Sequence, residues 1–400
     1  KTPVKFIRSK GMLPVTHPEK AAPFPITTLF FGIKDKETAV LIWSFLVQSL
    51  SGTGPFPILN IEGEQGSGKS FTGKLVKSIL DPSTAPLRSA PRDERDLMIA
   101  AANCWILAFD NLSGLSNWLS DALCRLSTGG GFSTRELFTD SEEMIFTATR
   151  PIILTGIDRI ASRHDLIDRS IIVNLPFIPD ESRKTESELT ATFEALKPMF
   201  LATLCTAASR ALADIGSTRL ERLPRMADFA LWVSAAEPAL PWASGEFMQI
   251  YSGNRDNAVD LALDADPVAT TIREFMVQRQ FWQGTANELL RHLDELADER
   301  TKRLDVWPKQ SATLAKRVRR LSTFLRAAGI IATFGKRTGK TRYVELEKKG
   351  ILLSHPSQLS QPDVEPHENS FYEVTDKVTV NSELSHELSQ GKIHETEYLI

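Results

Sequence analysis

Cysteine is scarce: three in 400 residues, Cys104, Cys124 and Cys205, scattered and two of them inside apolar runs. That excludes a disulfide framework and any cysteine-based metal spacing, and it fits a reducing cytoplasm. Long hydrophobic runs are missing too. No stretch approaches the roughly eighteen apolar residues that a bilayer crossing needs, and no secretory leader pattern precedes the fold. An excess of charge of one sign is nearly absent overall, with a formal net charge of −3, but the charges are unevenly spread. The chain opens on Lys1 rather than Met, as a piece of a longer protein would. What remains, 42% hydrophobic and 24% charged residues, is ordinary for a soluble globular protein, and the length suits two or three domains.

The most informative stretch is Phe56-Pro57-Ile58-Leu59-Asn60-Ile61-Glu62-Gly63-Glu64-Gln65-Gly66-Ser67-Gly68-Lys69-Ser70-Phe71. An apolar run ends in Gly63, and Gly68, Lys69 and Ser70 follow five residues later, which is the G-x-x-x-x-G-K-[ST] phosphate-loop pattern. Glycines let successive backbone N–H groups curl toward a phosphate, and the following helix adds the positive end of its dipole. Lys69 is placed to reach the β- and γ-phosphates of ATP, and the Ser70 hydroxyl to ligate Mg²⁺. Pro57 to Ile61 reads as a buried strand and Ser70 to Leu80 as an amphipathic helix, so the context agrees. The bland alternative is a glycine-rich strand-to-helix turn.

Residues 1–25 mix lysines and arginine with five prolines and read as an extended lead-in; Glu37 to Leu50 reads as a packing helix. Asp81-Pro82 stops the helix that follows the loop. Arg92 to Asp96 reads as a solvated helix face. Cys104-Trp105-Ile106-Leu107-Ala108-Phe109-Asp110-Asn111 is a buried-strand pattern that ends in a carboxylate. Asp110 is therefore a candidate Mg²⁺ ligand beside Ser70, with helix capping as its plain alternative. Asn111 stands where many ATPases carry a second acid; an amide orients water but takes no proton, so the catalytic base is open between Glu142 and Glu143. Trp118 to Leu126 reads as a helix ending at Gly129-Gly130-Gly131, Phe132 to Arg150 as a hairpin with a polar tip, and Ile152 to Gly156 as a strand. Ile157 to Asp168 reads as a short helix and Ser170 to Pro176 as a last strand. Alternating strands and helices imply a mostly parallel sheet.

This order of elements resembles the ATPase core of superfamily-three helicases and related AAA+ proteins of viruses, phages and mobile elements, including the C-terminal part of phage primase–helicases. Gly63–Ser70 looks like that family's first motif and Cys104–Asn111 like its second. Leu126-Ser127-Thr128-Gly129-Gly130-Gly131-Phe132-Ser133-Thr134-Arg135-Glu136-Leu137 is similar to its third, and Asp168-Arg169-Ser170-Ile171-Ile172-Val173-Asn174-Leu175-Pro176 to its arginine-finger strand. The resemblance covers roughly residues 55–180. It implies an α/β, phosphate-loop (ASCE/AAA+-like) parallel-sheet ATPase working as a homo-oligomeric ring, with a primase domain or partner. Thr155 stands at the sensor position, where the family has Asn. Arg169 would act across a subunit interface, with Arg163 as second candidate; a plain ion pair of Arg169 with Asp165 or Asp168 is the alternative. Arg135 would support the hairpin or touch single-stranded DNA.

The remainder divides by pattern. Residues 181–264 are helical throughout, a lid or collar. Residues 265–350 show three helices (Val268–Gln280, Thr285–Ala297, Ser311–Ala328) and then two alternating runs around Gly335–Lys340, which together make a winged helix. From Lys309 to Lys349 there are 12 Lys or Arg against 2 acids. Lys316, Arg317, Arg319 and Arg320 on the third helix, and Lys336, Arg337, Lys340 and Arg342 on the hairpin, suit duplex DNA. A solvated basic face is the alternative. Residues 351–400 carry nine acids against two lysines and read as a disordered tail. The domain plan expected is thus 1–54, 55–180, 181–264, 265–350 and 351–400. The function expected is an ATP- and Mg²⁺-dependent DNA-replication helicase or initiator, or else a slowly hydrolysing DNA-binding switch or loader.

Overall fold

The computed structural model describes residues 9–19, 33, 35–135, 143–157, 160–161, 163–335 and 343–349, with backbone alone for 132–135 and 143–146. Its centre is a four-stranded parallel sheet of β1 (Ile58–Gly63), β2 (Leu107–Leu112), β5 (Ile152–Gly156) and β6 (Ser170–Leu175), in the order β2-β5-β1-β6. Pairing Ile58 with both Ile152 and Ser170 aligns the strands, so all four end at one edge. The strands are apolar on both faces because helices cover both.

On one face lie α1 (Lys36–Ser49), α2 (Lys69–Leu80), α6 (Glu186–Asp214) and α7 (Ala227–Ala236). α1 is the most enclosed of them: every residue from Ala39 to Ser49 is buried, and Ser44 and Ser49 return their hydroxyls to carbonyls four residues back. On the other face lie α3 (Glu94–Asn103), α4 (Asn117–Thr128), α5 (His164–Ile167) and the later part of α8 (Glu246–Asp264). Asn254 of α8 closes the free edge of β6, its amide exchanging hydrogen bonds with the backbone of Ile172 at 2.6 and 3.1 Å. The strands β3 (Phe132–Arg135) and β4 (Glu143–Phe146) pair antiparallel as a separate two-stranded ribbon.

The C-terminal part is α9 (Pro267–Met276), β7 (Phe281–Thr285), α10 (Ala286–Leu296), α11 (Glu299–Arg303), α12 (Ser311–Ala327), β8 (Ile330–Phe334) and β9 (Tyr343–Lys348). Its sheet is antiparallel in the order β7-β9-β8. Its core residues, Leu289, Leu314, Val318 and Leu346 among them, belong to the same apolar cluster as α4 and α5. Only Ala265 and Asp266 separate α8 from α9, and Asp266 holds both sides: Oδ1 caps α9 by accepting from Val268 and Ala269, and Oδ2 takes Arg317 of α12 at 2.8 Å.

Two local expectations are corrected. The helix read over Ile157–Asp168 is confined among the described residues to His164–Ile167, because the chain first crosses the sheet edge, where the Ile160 N–H donates to buried Glu62 at 3.0 Å. The helix read to Gln280 ends at Met276, and Phe281–Thr285 becomes a strand paired to β9. The segment 9–19 is tied to the fold, Met12 bridging to Ser83 and the Glu19 N–H donating to the Pro198 carbonyl.

Candidate functional site

The strand β1 turns into α2 through Gly63–Gly68, at the edge where the parallel strands end. Two glycines are obligatory there. A Cβ on Gly63 (φ 152°) would lie 2.6 Å from the Leu175 carbonyl and 2.8 Å from Ser67 Oγ, and Gly68 caps α2 at φ 79°. With no cap side chain, the first N–H groups of α2 are left for another acceptor. A cavity of about 570 Å³ runs along this turn, lined by Gly66, Gly68, Lys69, Ser70, Asn111 and Thr155 and extending to Lys74, Leu87 and Glu186.

Three side chains meet at its floor. Ser70 Oγ donates to Asp110 Oδ1 at 2.7 Å, and the Thr155 hydroxyl donates to the same oxygen. Thr155 Oγ1 in turn accepts from the Asn111 N–H at 3.2 Å. The register of β2 against β5 shifts between Phe109 and Leu112, and Asn111 sits in that irregularity at φ 56°, alone among described non-glycine residues in having positive φ. Such a bulge re-aims its neighbours, and Asn is one of the few side chains that tolerates it. Asn111 therefore has a backbone role: it swings Asp110 toward Ser70. Lys69 lies back over the loop, Nζ donating to the Glu64 carbonyl at 2.6 Å. Burial holds its ammonium below the ordinary lysine value, with the Asp110 charge pulling the other way.

Among the described residues no group of three or more His, Cys, Asp or Glu could hold a metal. The oxygens of Ser70 and Asp110 do fit Mg²⁺, which takes few protein ligands and completes its shell with water and phosphate oxygen.

The other expected residues fall elsewhere. Glu143 stands on β4, opposite Arg135 on the ribbon rather than on the sheet that carries Asp110, and Glu142 lies outside the described residues. Arg169, 14% exposed, donates to the carbonyl and the carboxylate of Asp165; Arg225 spans Asp165 (2.8 Å) and Asp168 (3.2 Å) beside it. Arg163 is more open and pairs with Asp121 at 2.7 Å. On α12, Lys316, Arg319, Arg320 and Arg326 form one exposed stripe, whereas Arg317 turns inward to Asp266. Lys336, Arg337, Lys340 and Arg342 lie outside the described residues. Arg326, two turns beyond Arg319 on α12, was legible in the sequence. Phe177 and Arg183, which reach the loop from beyond β6, had no sequence signal.

Comparisons with known proteins give one family and only distant structural likenesses. No curated protein matches. Solved structures give loose, fold-level likenesses. The A form of the apo NrS-1 C-terminal region is 12% identical, covering 84% of this chain and 80% of that one, at a TM-score of 0.37. A structure of JCV helicase is 13% identical, covering 57% of this chain and 63% of that one, at 0.29. A model of the AICE RepA C-terminal domain matches residues 268–360. The model described as actinomycete integrative conjugative element replication protein matches residues 27–250, more than half of the chain, and this chain belongs to that family.

Proposed function

We propose that this chain is a Mg²⁺- and ATP-dependent replication ATPase of a mobile element, acting as a DNA helicase or initiator in an oligomeric ring. One observation carries the reading: Ser70, Asp110 and Thr155 share a single carboxylate oxygen at the mouth of a glycine-cornered turn with Lys69 beside it. In this reading Gly63–Gly68 and the first turn of α2 cradle the phosphates, and Lys69 exchanges the Glu64 carbonyl for β- and γ-phosphate oxygens. Mg²⁺ bound to Ser70 and Asp110 would neutralise charge on the transferred phosphoryl group. Thr155 keeps Asp110 in place and retains a lone pair for a water. Arg163, the more open of the two arginines, would serve a neighbouring subunit's site. DNA would meet the β3–β4 ribbon with Arg135, and the winged helix through the Lys316–Arg326 stripe.

A second reading, an ATP-binding switch or loader without unwinding, is favoured by Asn111, which puts an amide where hydrolysing relatives of the loop carry a base. The test is ATP turnover with and without single-stranded DNA, for this chain and for Lys69→Ala. DNA-stimulated turnover that falls by about a hundredfold or more in Lys69→Ala supports the ATPase. Tight ATP binding without turnover under either condition would leave the switch, and turnover indifferent to Lys69→Ala would end both readings.

A further inference from the structure

The phosphate loop has chain on both sides of it. Asp110 and Thr155 stand on β2 and β5, on one side of β1 in the sheet, and β6 lies on the other. With Ser70 and Asp110 at one end of the loop, its Gly66–Gly68 portion is the part covered by the chain that leaves β6.

That chain, residues 176–183, passes directly over the loop. Ile178 Cδ1 lies 3.5 Å from where a Cβ on Gly68 would stand. At Gly66 the corresponding neighbours are Arg183 Nη2 at 3.2 Å and the Phe177 ring at 3.6 Å. Phe177 is 51% exposed and joins neither apolar cluster. The Arg183 guanidinium lies 5.6 Å from the centre of that ring. Two light bonds hold it there, Nε to the Ile178 carbonyl at 3.3 Å and Nη1 to exposed Asp180 at 2.8 Å; Nη2 has no partner among the described residues.

We propose that Phe177 and Arg183 are the nucleobase clasp of this site. The inference rests on the loop binding a nucleoside triphosphate. The base stacks on the free face of Phe177, and Arg183, released from an exposed ion pair of little strength, closes over it or reaches the adjacent phosphate. Stacking reads a π-face rather than an edge, so the ligand class is nucleoside triphosphates in general, purines ahead of pyrimidines by contact area.

The experiment measures binding of Mg·ATP and of inorganic tripolyphosphate to the full chain and to Phe177→Ala and Lys69→Ala. Tripolyphosphate has the phosphates but no base. Phe177→Ala is expected to weaken ATP by about 5- to 150-fold while leaving tripolyphosphate unchanged. Equal weakening of both ligands would make Phe177 a support of the loop alone and overturn the clasp, as would no change in either. If Lys69→Ala binds both ligands like the parent chain, the nucleotide site itself is wrong and the clasp goes with it.

Discussion

The two edges of the parallel sheet use the same residue types to opposite ends. Where the strands end, Lys69 and Ser70 line a cavity; Lys69 rests on the loop's own carbonyl and Ser70 on the Asp110 carboxylate. Where the strands begin, Lys77 and Asp81 are closed on themselves. Lys77 is 1% exposed and donates to Asp81 and, at 2.6 Å, to the Ile106 carbonyl, while Asp81 accepts from Trp105 and Ile106 N–H groups at 3.0 and 2.9 Å. Arg169, bonded to Asp165, also stands at that end. The difference is one of completeness. A lysine buried on a carboxylate and a carbonyl inside the fold is structural, and one resting on a loop carbonyl beside a cavity can exchange that partner for a ligand.

Substitutions at the two edges should separate cleanly. Lys77→Ala strands a buried carboxylate and should cost about 3–5 kcal/mol of stability, measured by denaturant unfolding. A loss below about 1 kcal/mol would place Lys77 with the exposed pairs. At the open edge, Asp110→Ala should lower ATP turnover by about a hundredfold or more while unfolding stays close to the parent. A large stability loss there with normal residual turnover would erase the contrast.

The same rule sorts the cations of α12. Arg320→Ala should weaken duplex binding evenly across sequences and reduce the salt slope by about one, with little change in stability. Arg317→Ala removes the partner of Asp266 and should cost on the order of 1–2 kcal/mol of stability while the salt slope holds. If the slopes fall equally, the inward pairing of Arg317 does not persist on DNA. The smallest expected effect is at Thr285, whose hydroxyl and Glu288 form a capping box at the start of α10. Thr285→Ala should cost about 1 kcal/mol, readable as a shift of the urea midpoint.

Much of this was local and therefore written in the residues. The turn at Gly63–Ser70, the apolar run into Asp110, the stop at Asp81-Pro82 and the period of α12 depend on neighbours within a few positions, and pattern reads them. The strand β7 escaped because Phe281–Thr285 is short and pairs with β9 some sixty residues later. No periodicity could tell that Arg317 faces Asp266 and not DNA, or that Arg169 is bonded to Asp165, because an ion pair is chosen by what the tertiary structure brings within reach. The same holds for Phe177: its exposure and its place over Gly66 follow from where β6 lies in the sheet. By itself the sequence determined a glycine-cornered turn from β1 into α2 and a basic C-terminal helix, since both are short-range properties of the chain. Tertiary structure alone decided which charges are already spent on partners, because pairing and burial are set by contacts between residues far apart in the chain.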